Sequence, residues 1–252
     1  MRLGLNTALV LILLGAAPAL SPAADYDGII QKADTIYAER EDPARTRAAI
    51  EEYKKAVALD PQRAEAYWRL ARALYWVGGH TEDKNERLAV YKDAGQWAQK
   101  AVELAPDLAA PHYWLGISLG MYGDTKGKLE SLNLVATIKK EMAEVIRIDP
   151  AFDEGGAHTV LGRLYFKVPG IFGGSNELAV LNLKKALEYG PTRPLTHLYL
   201  AEVYLEEERW PEARAHLEKA LAARCSAPIA PECRMWQAQA SALLGELESK
   251  KK

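Results

Sequence analysis

The chain has 252 residues, with 32 Lys and Arg against 34 Asp and Glu, a net charge of −2 at neutral pH. That balance leaves no cationic excess for a phosphate backbone, so no nucleic-acid partner is expected. The Lys250-Lys251-Lys252 end reads as a solvated helix terminus rather than a docking tail.

Residues 1–24 read as a signal peptide. Arg2 is a minimal positive start, residues 8–20 form an apolar run, and Ser21-Pro22-Ala23-Ala24 is a small-residue cleavage site. The run is short and weakly flanked for a membrane span, and no cysteine near the cut could carry a lipid. The expectation is a periplasmic or secreted chain, 25–252, with no stable membrane anchor. Losing Arg2 takes its charge to −3.

Four helix stops then recur. They are Ala56-x-x-Leu59-Asp60-Pro61, Ala101-x-x-Leu104-Ala105-Pro106, Val145-x-x-Ile148-Asp149-Pro150 and Ala186-x-x-Tyr189-Gly190-Pro191. A small residue allows close helix approach, an apolar residue three positions on shares its face, and proline blocks continuation. The stop prolines lie 45, 44 and 41 residues apart. Such a period implies a stack of helix pairs, an architecture that binds rather than transforms.

The unit reads as a tetratricopeptide repeat, about 34 residues long, enlarged here by insertions. The stretch 194–227 has none: Leu200, Ala201 and Tyr204 occupy its first helix, Ala213, Leu217 and Ala220 its second, with Trp210-Pro211 at the turn. Tyr67, Leu70, Ala71 and Leu74 fit after Pro61, and Leu115, Gly116 and Leu119 after Pro106. Leu161, Gly162 and Tyr165 fit after Pro150 if two residues are added. The expected fold is an all-α, tetratricopeptide-like helix-pair solenoid with units 27–61, 62–106, 107–150, 151–191 and 192–227 and a capping helix over 229–250. The second helices should be lengthened, over 81–104 and 124–148.

First helices of such pairs line the concave face. Trp68, Arg72, Tyr75, Tyr113, Ile117, Arg163, Phe166, Leu198 and Glu202 are therefore the candidate groove. Its aromatic and aliphatic character with two arginines suits a hydrophobic small molecule with an anionic end. The alternative is that a closing helix fills the groove. The Lys and Asn of a peptide-carboxylate clamp are missing from the equivalent positions. His112, His158 and His197 fall at equivalent points on successive helices, too far apart to share one zinc, so no metal is expected.

Two loops stand out. In the first, 120–128, which includes Tyr122, Asp124 or Thr125 should cap the next helix. The second, 167–175, contains Pro169, Ile171 and Phe172, which either fold back into the core or form an exposed lip facing a partner. Ser175 should cap the helix that follows. Cys225 and Cys233 flank a proline-rich heptapeptide; in an oxidising compartment they read as a disulfide worth about 2–3 kcal/mol, and otherwise as two buried thiols. No Gly-x-Ser-x-Gly, His-Glu-x-x-His or phosphate-loop pattern is present, so neither enzyme nor cofactor is expected.

Three blocks carry a resemblance. They are Tyr113-Trp114-Leu115-Gly116 through Ile148-Asp149-Pro150, then Gly155-Gly156-Ala157-His158-x-x-Leu161-Gly162-Arg163-Leu164-Tyr165, then Pro169-Gly170-x-x-Gly173-Gly174-Ser175. They resemble the tetratricopeptide T-component associated with TRAP transporters, to which the regulators of microtubule dynamics are a related eukaryotic branch. The resemblance implies a periplasmic partner of a solute-binding protein that helps deliver a hydrophobic ligand to a membrane transporter; the alternative reading is a scaffold in envelope assembly whose groove holds a peptide or helix of another envelope protein. Members of that group are often lipoproteins and can form trimers; this chain lacks the anchor cysteine, and a homo-oligomer stays open.

Overall fold

The computed structural model describes residues 22–249, so the expected signal segment up to residue 21 lies outside it. Five helix pairs follow one another: α1 (Pro22–Tyr37) and α2 (Pro43–Leu59), α3 (Ala64–Gly79) and α4 (Lys84–Leu104), α5 (Ala109–Lys126) and α6 (Lys128–Ile148). Then come α7 (Phe152–Lys167) and α8 (Asn176–Tyr189), α9 (Pro194–Glu206) and α10 (Trp210–Ala222), and a closing helix α11 (Ala230–Ser249). No strand occurs among the described residues. The chain is a tetratricopeptide-type helix-pair solenoid.

The four stops end their helices in one way. The N–H of Asp60, Ala105, Asp149 and Gly190 bonds the carbonyl of Ala56, Ala101, Val145 and Ala186, the small residue of each motif. Those four residues are fully buried, which brings neighbouring helices close. The carbonyls of the stop prolines are also used. Tyr67 Oη bonds Pro61 O at 3.1 Å, and the Nε2 atoms of His112 and His197 bond Pro106 O and Pro191 O at 2.8 and 3.0 Å. Each donor lies six residues after its proline. The histidines recur because they tie a first helix to the stop before it.

His158 comes eight residues after Pro150 and bonds Asn182 instead, at 3.3 Å. The two added residues are taken up by a left-handed stretch, Asp153, Glu154 and Gly155, with φ of 51, 55 and 75°. Glycine fits the last position, where a Cβ would lie 2.9 Å from Ala186 O.

Helix starts differ from the sequence expectation in two places. The α4 helix begins at Lys84 rather than at residue 81, capped by Asp83, which accepts from Asn85 and Glu86 N–H. Neither Asp124 nor Thr125 caps α6, because α5 runs on to Lys126 and breaks at Gly127, whose φ is +130°. The α5 and α6 helices are longer as a pair than the repeat requires, 18 and 21 residues, and meet through this glycine. Ser175 does cap α8, accepting from Leu178 N–H at 3.1 Å.

The two ends of the solenoid meet. Arg40, just after α1, forms a bidentate ion pair with Glu232 at the start of α11, and its Nη2 also bonds Pro228 O at 2.8 Å. Arg234 pairs with Glu41 beside it. The α11 helix packs Trp236, Ala240 and Leu247 against Leu198 and Ala201 of α9 and Leu217 and Ala220 of α10. The chain's own last helix therefore joins the α9–α10 pair to the end of α1.

Candidate functional site on the concave face

The nine groove residues do not form one site. On α3, Arg72 Nη2 bonds Asp34 Oδ1 at 3.0 Å and the Tyr53 hydroxyl at 3.1 Å, and its guanidinium lies over the Tyr37 and Trp68 rings. Arg69 shares the same Asp34. On α7, Arg163 pairs with Glu202 of α9 and lies 4.4 Å from the Tyr199 ring centroid, with Phe166 beyond it. Each arginine thus already has a carboxylate partner, so neither is left to demand an anionic ligand.

Between these two clusters the face is filled with rings. Tyr75 packs tilted against Trp114, with ring centroids 5.7 Å apart, and Trp114 packs edge-on against Tyr113. Burial, then the nearby Tyr199, Tyr91 and Glu232, push the Tyr75 hydroxyl far above its ordinary value. Burial likewise raises Tyr37 to about 12, against the pull of Arg72 and Arg40. Leu198 is not a groove residue: it is fully buried in the α9–α10–α11 core. Ile117 packs against the α5–α6–α7 core.

Open space remains further along. A cleft of about 590 Å³ lies between α7, α9 and α11, with Phe166, Leu205 and Leu243 on its walls and Lys167, Glu202 and Glu206 at its edges. Of the sequence-named residues, Phe166 and Glu202 reach it.

The 167–175 loop is exposed. Ile171 and Phe172 sit on a one-turn 3-10 helix, Gly170–Phe172, and are 87% and 54% exposed. The base beneath them is closed by Gly174 N–H to Pro169 O at 3.2 Å and Ser175 N–H to Tyr165 O at 2.9 Å. A side chain at Gly174 would strike Val168 O. The apolar surface continues onto α8 through Leu178 and Leu181. Pro169 is exposed at the base of the loop. Tyr122 and Asp124 belong to the end of α5 instead. Lys126 lies above the Tyr122 ring, and burial raises the Asp124 carboxyl while Arg163 and Lys167 draw it down.

Several interacting residues were not singled out from the sequence. Asp153 accepts from Tyr113 Oη at 2.5 Å and from Arg193 Nη2 at 2.6 Å. Arg193 stands two residues after a stop proline, as Arg63 does, and that recurrence is the signal that could have found it. Arg63 pairs with Asp27 and lies 3.8 Å from the Tyr26 ring centroid. Cys225 and Cys233 form a disulfide with Cα atoms 5.5 Å apart.

Residues 29–171 match the family described as "Regulator of microtubule dynamics protein 1-3", and residues 174–225 match a tetratricopeptide repeat. The chain belongs to the regulator of microtubule dynamics family. Regulator of microtubule dynamics protein 1 of Bos taurus is 26% identical over 150 residues, 59% of this chain and 45% of that protein. Regulator of microtubule dynamics protein 3 of Bos taurus is 23% identical over 232 residues, 83% of this chain and 48% of that protein. The chain thus spans about half the length of the curated relatives it matches.

Among solved structures, a thermophilic tetratricopeptide protein of Thermus thermophilus covers 86% of this chain and 99% of its own, at 22% identity and a TM-score of 0.64. PilW, a type IV pilus biogenesis factor, covers 90% and 91% at 19% identity and a TM-score of 0.58. Both likenesses are of fold. In this regulator of microtubule dynamics family member, the family match ends at Ile171 on the exposed tip, and Cys233 with α11 lies beyond both matched stretches.

Proposed function

We propose that the chain is a non-enzymatic binding module that holds a partner polypeptide in the cleft between α7, α9 and α11, with the Ile171-Phe172 tip as a second contact. The cleft carries this reading: its walls are apolar and its edges are charged. The tip supports it, because a loop with a hydrogen-bonded base presents two large apolar side chains to solvent.

The signal-like segment and the resemblance to T-components favour a periplasmic solute-binding protein of a TRAP-type system, or another envelope protein, as the partner. The relatives' names concern microtubule dynamics; the apolar run over 8–20 favours export for this chain instead. A hydrophobic small molecule with an anionic end is the second reading. Lys167 at the cleft edge favours it, being the cation there without a carboxylate partner of its own among the described ion pairs.

The test is a photo-crosslinking residue placed at Leu243, followed by native mass spectrometry of protein purified from cell envelopes without detergent. A discrete cross-linked polypeptide, lost on Leu205→Glu, supports the polypeptide reading. A co-purifying lipid-like mass lost on Lys167→Glu supports the second. A bare protein with no cross-link overturns both.

A further inference from the structure

The bonds that join the two ends of the solenoid share one source. Among the described residues, every hydrogen bond between the first helix pair and the closing segment involves Pro228, Glu232 or Arg234. Pro228 and Glu232 lie among the seven residues enclosed by Cys225 and Cys233, and Arg234 follows directly. On the other side, Arg40 is held rigidly. It is 2% exposed, its guanidinium lies 4.8 and 5.3 Å from the Tyr37 and Trp76 ring centroids, and its carbonyl accepts from Trp76 Nε1 and Thr46 Oγ1 at 2.8 Å each.

We propose that the Cys225–Cys233 disulfide is a redox latch that keeps the ring closed. A bidentate pair works only if both partners hold their geometry. Arg40 supplies a fixed fork; the disulfide supplies the other half, restricting the loop so that one carbonyl and one carboxylate meet that fork together. Opening requires a dithiol reductant. Its thiolate attacks Sγ of Cys225, the less buried of the two cysteines, and the S–S bond breaks with Cys233 leaving as thiolate. The reductant's second thiol then resolves the mixed disulfide. Two electrons and two protons pass to the cysteines, and the reductant leaves as a cyclic disulfide.

Reduced, residues 225–233 regain their freedom and the cross-ring bonds weaken together. The α11 helix stays attached to α9 and α10 through Trp236, Ala240 and Leu247, so the change is a parting of the ring, not loss of a domain. It uncovers the Tyr37, Tyr75 and Trp76 side of the concave face. The closure holds whatever the cleft binds, so its failure would leave the binding proposal standing.

Hydrogen exchange of the full chain, oxidised and then treated with excess dithiothreitol, tests the latch. Expected is faster exchange, by about tenfold or more, at both 38–42 and 229–235, with α4 to α6 unchanged. The Cys225→Ser/Cys233→Ser variant should exchange like the reduced protein. Arg40→Gln should already be fast at 38–42 and indifferent to dithiothreitol. Should Arg40→Gln fail to fold, Arg234→Glu breaks the exposed half of the closure, and adding Glu41→Arg should restore it. Continued protection of 38–42 after reduction, or equal acceleration along the whole chain, overturns the proposal.

Discussion

Tyr113 on α5 and Asp153 at the start of α7 are joined by a 2.5 Å hydrogen bond, and the same carboxylate oxygen accepts from Arg193 ahead of α9 at 2.6 Å. One side chain thus ties three consecutive units. It does so from a left-handed backbone position, φ 51°, of the kind that costs an L-residue about 1–2 kcal/mol. Arg193 is 4% exposed, and its partners here are Asp153, by side chain and carbonyl, and the more distant Glu154.

Asp153→Ala should therefore be strongly destabilising, by about 3 kcal/mol, because it leaves a buried guanidinium without its main carboxylate. Asp153→Asn tolerates the left-handed backbone and keeps one acceptor, so it should cost clearly less. Urea unfolding of the two variants checks the order; equal losses would show that the backbone, not the charge, dominates.

Gly116 and Gly162 occupy the same small position of the repeat, yet they should respond differently to alanine. At Gly162 a Cβ would lie 2.5 Å from Leu183 Cγ and 3.1 Å from the Ala179 carbonyl. Leu183 is fully buried and α8 backbone cannot retreat, so Gly162→Ala should cost about 2 kcal/mol. At Gly116 the near atom is Met142 Cε, the free end of an adaptable chain, and Gly116→Ala should cost about 1 kcal/mol or less. Thermal denaturation of both variants decides it.

The repeat was legible because its signals are local. A small residue, an apolar residue and a proline at fixed spacing ended α2, α4, α6 and α8 at Leu59, Leu104, Ile148 and Tyr189. The start of α6 was not legible, since Asp124 and Thr125 are acceptable caps and nothing local says that α5 runs through them to Gly127. The groove was legible as a face but not as a site. Whether Arg72 is free for a ligand depends on Asp34, 38 residues earlier, and whether the face is open depends on Arg40 meeting Glu232, 192 residues later. No periodicity encodes pairings at such separations. The Ile171-Phe172 tip was undecidable for a related reason: composition shows an apolar loop, but only the bonds at its base show which way it points.

Arg72 now has a different expected phenotype from a pure ligand residue. Its side chain is about a quarter exposed and satisfies Asp34 and Tyr53 together. Arg72→Ala should lower stability by about 1–2 kcal/mol through those lost bonds, whatever it does to binding. Asp34→Ala alone should cost a similar amount, and the double variant less than the sum of the two. Additive losses in a double-mutant cycle by chemical denaturation would show that the pair is not coupled.

His197 and His216 give the fold a pH dependence of their own. Nε2 of His197 faces Pro191 O, an acceptor only, so it carries the proton and Nδ1 of His197 is left to accept. The His216 Nδ1–H donates to it at 2.9 Å, an arrangement that needs His197 neutral. Burial, then His197 and the lysines Lys219 and Lys184, push His216 down to about 4; burial also lowers His197. The unfolded chain therefore takes up a proton near pH 6.5 that the folded chain refuses until about pH 4. Stability should be independent of this pair above pH 7 and fall between about pH 6.5 and 4, by on the order of 2 kcal/mol after allowance for partial exposure. His216→Asn keeps a donor near Nδ1 and cannot titrate. Urea midpoints at pH 7 and pH 5 should differ more in the native chain than in this variant, and identical shifts would place the acid sensitivity in other groups.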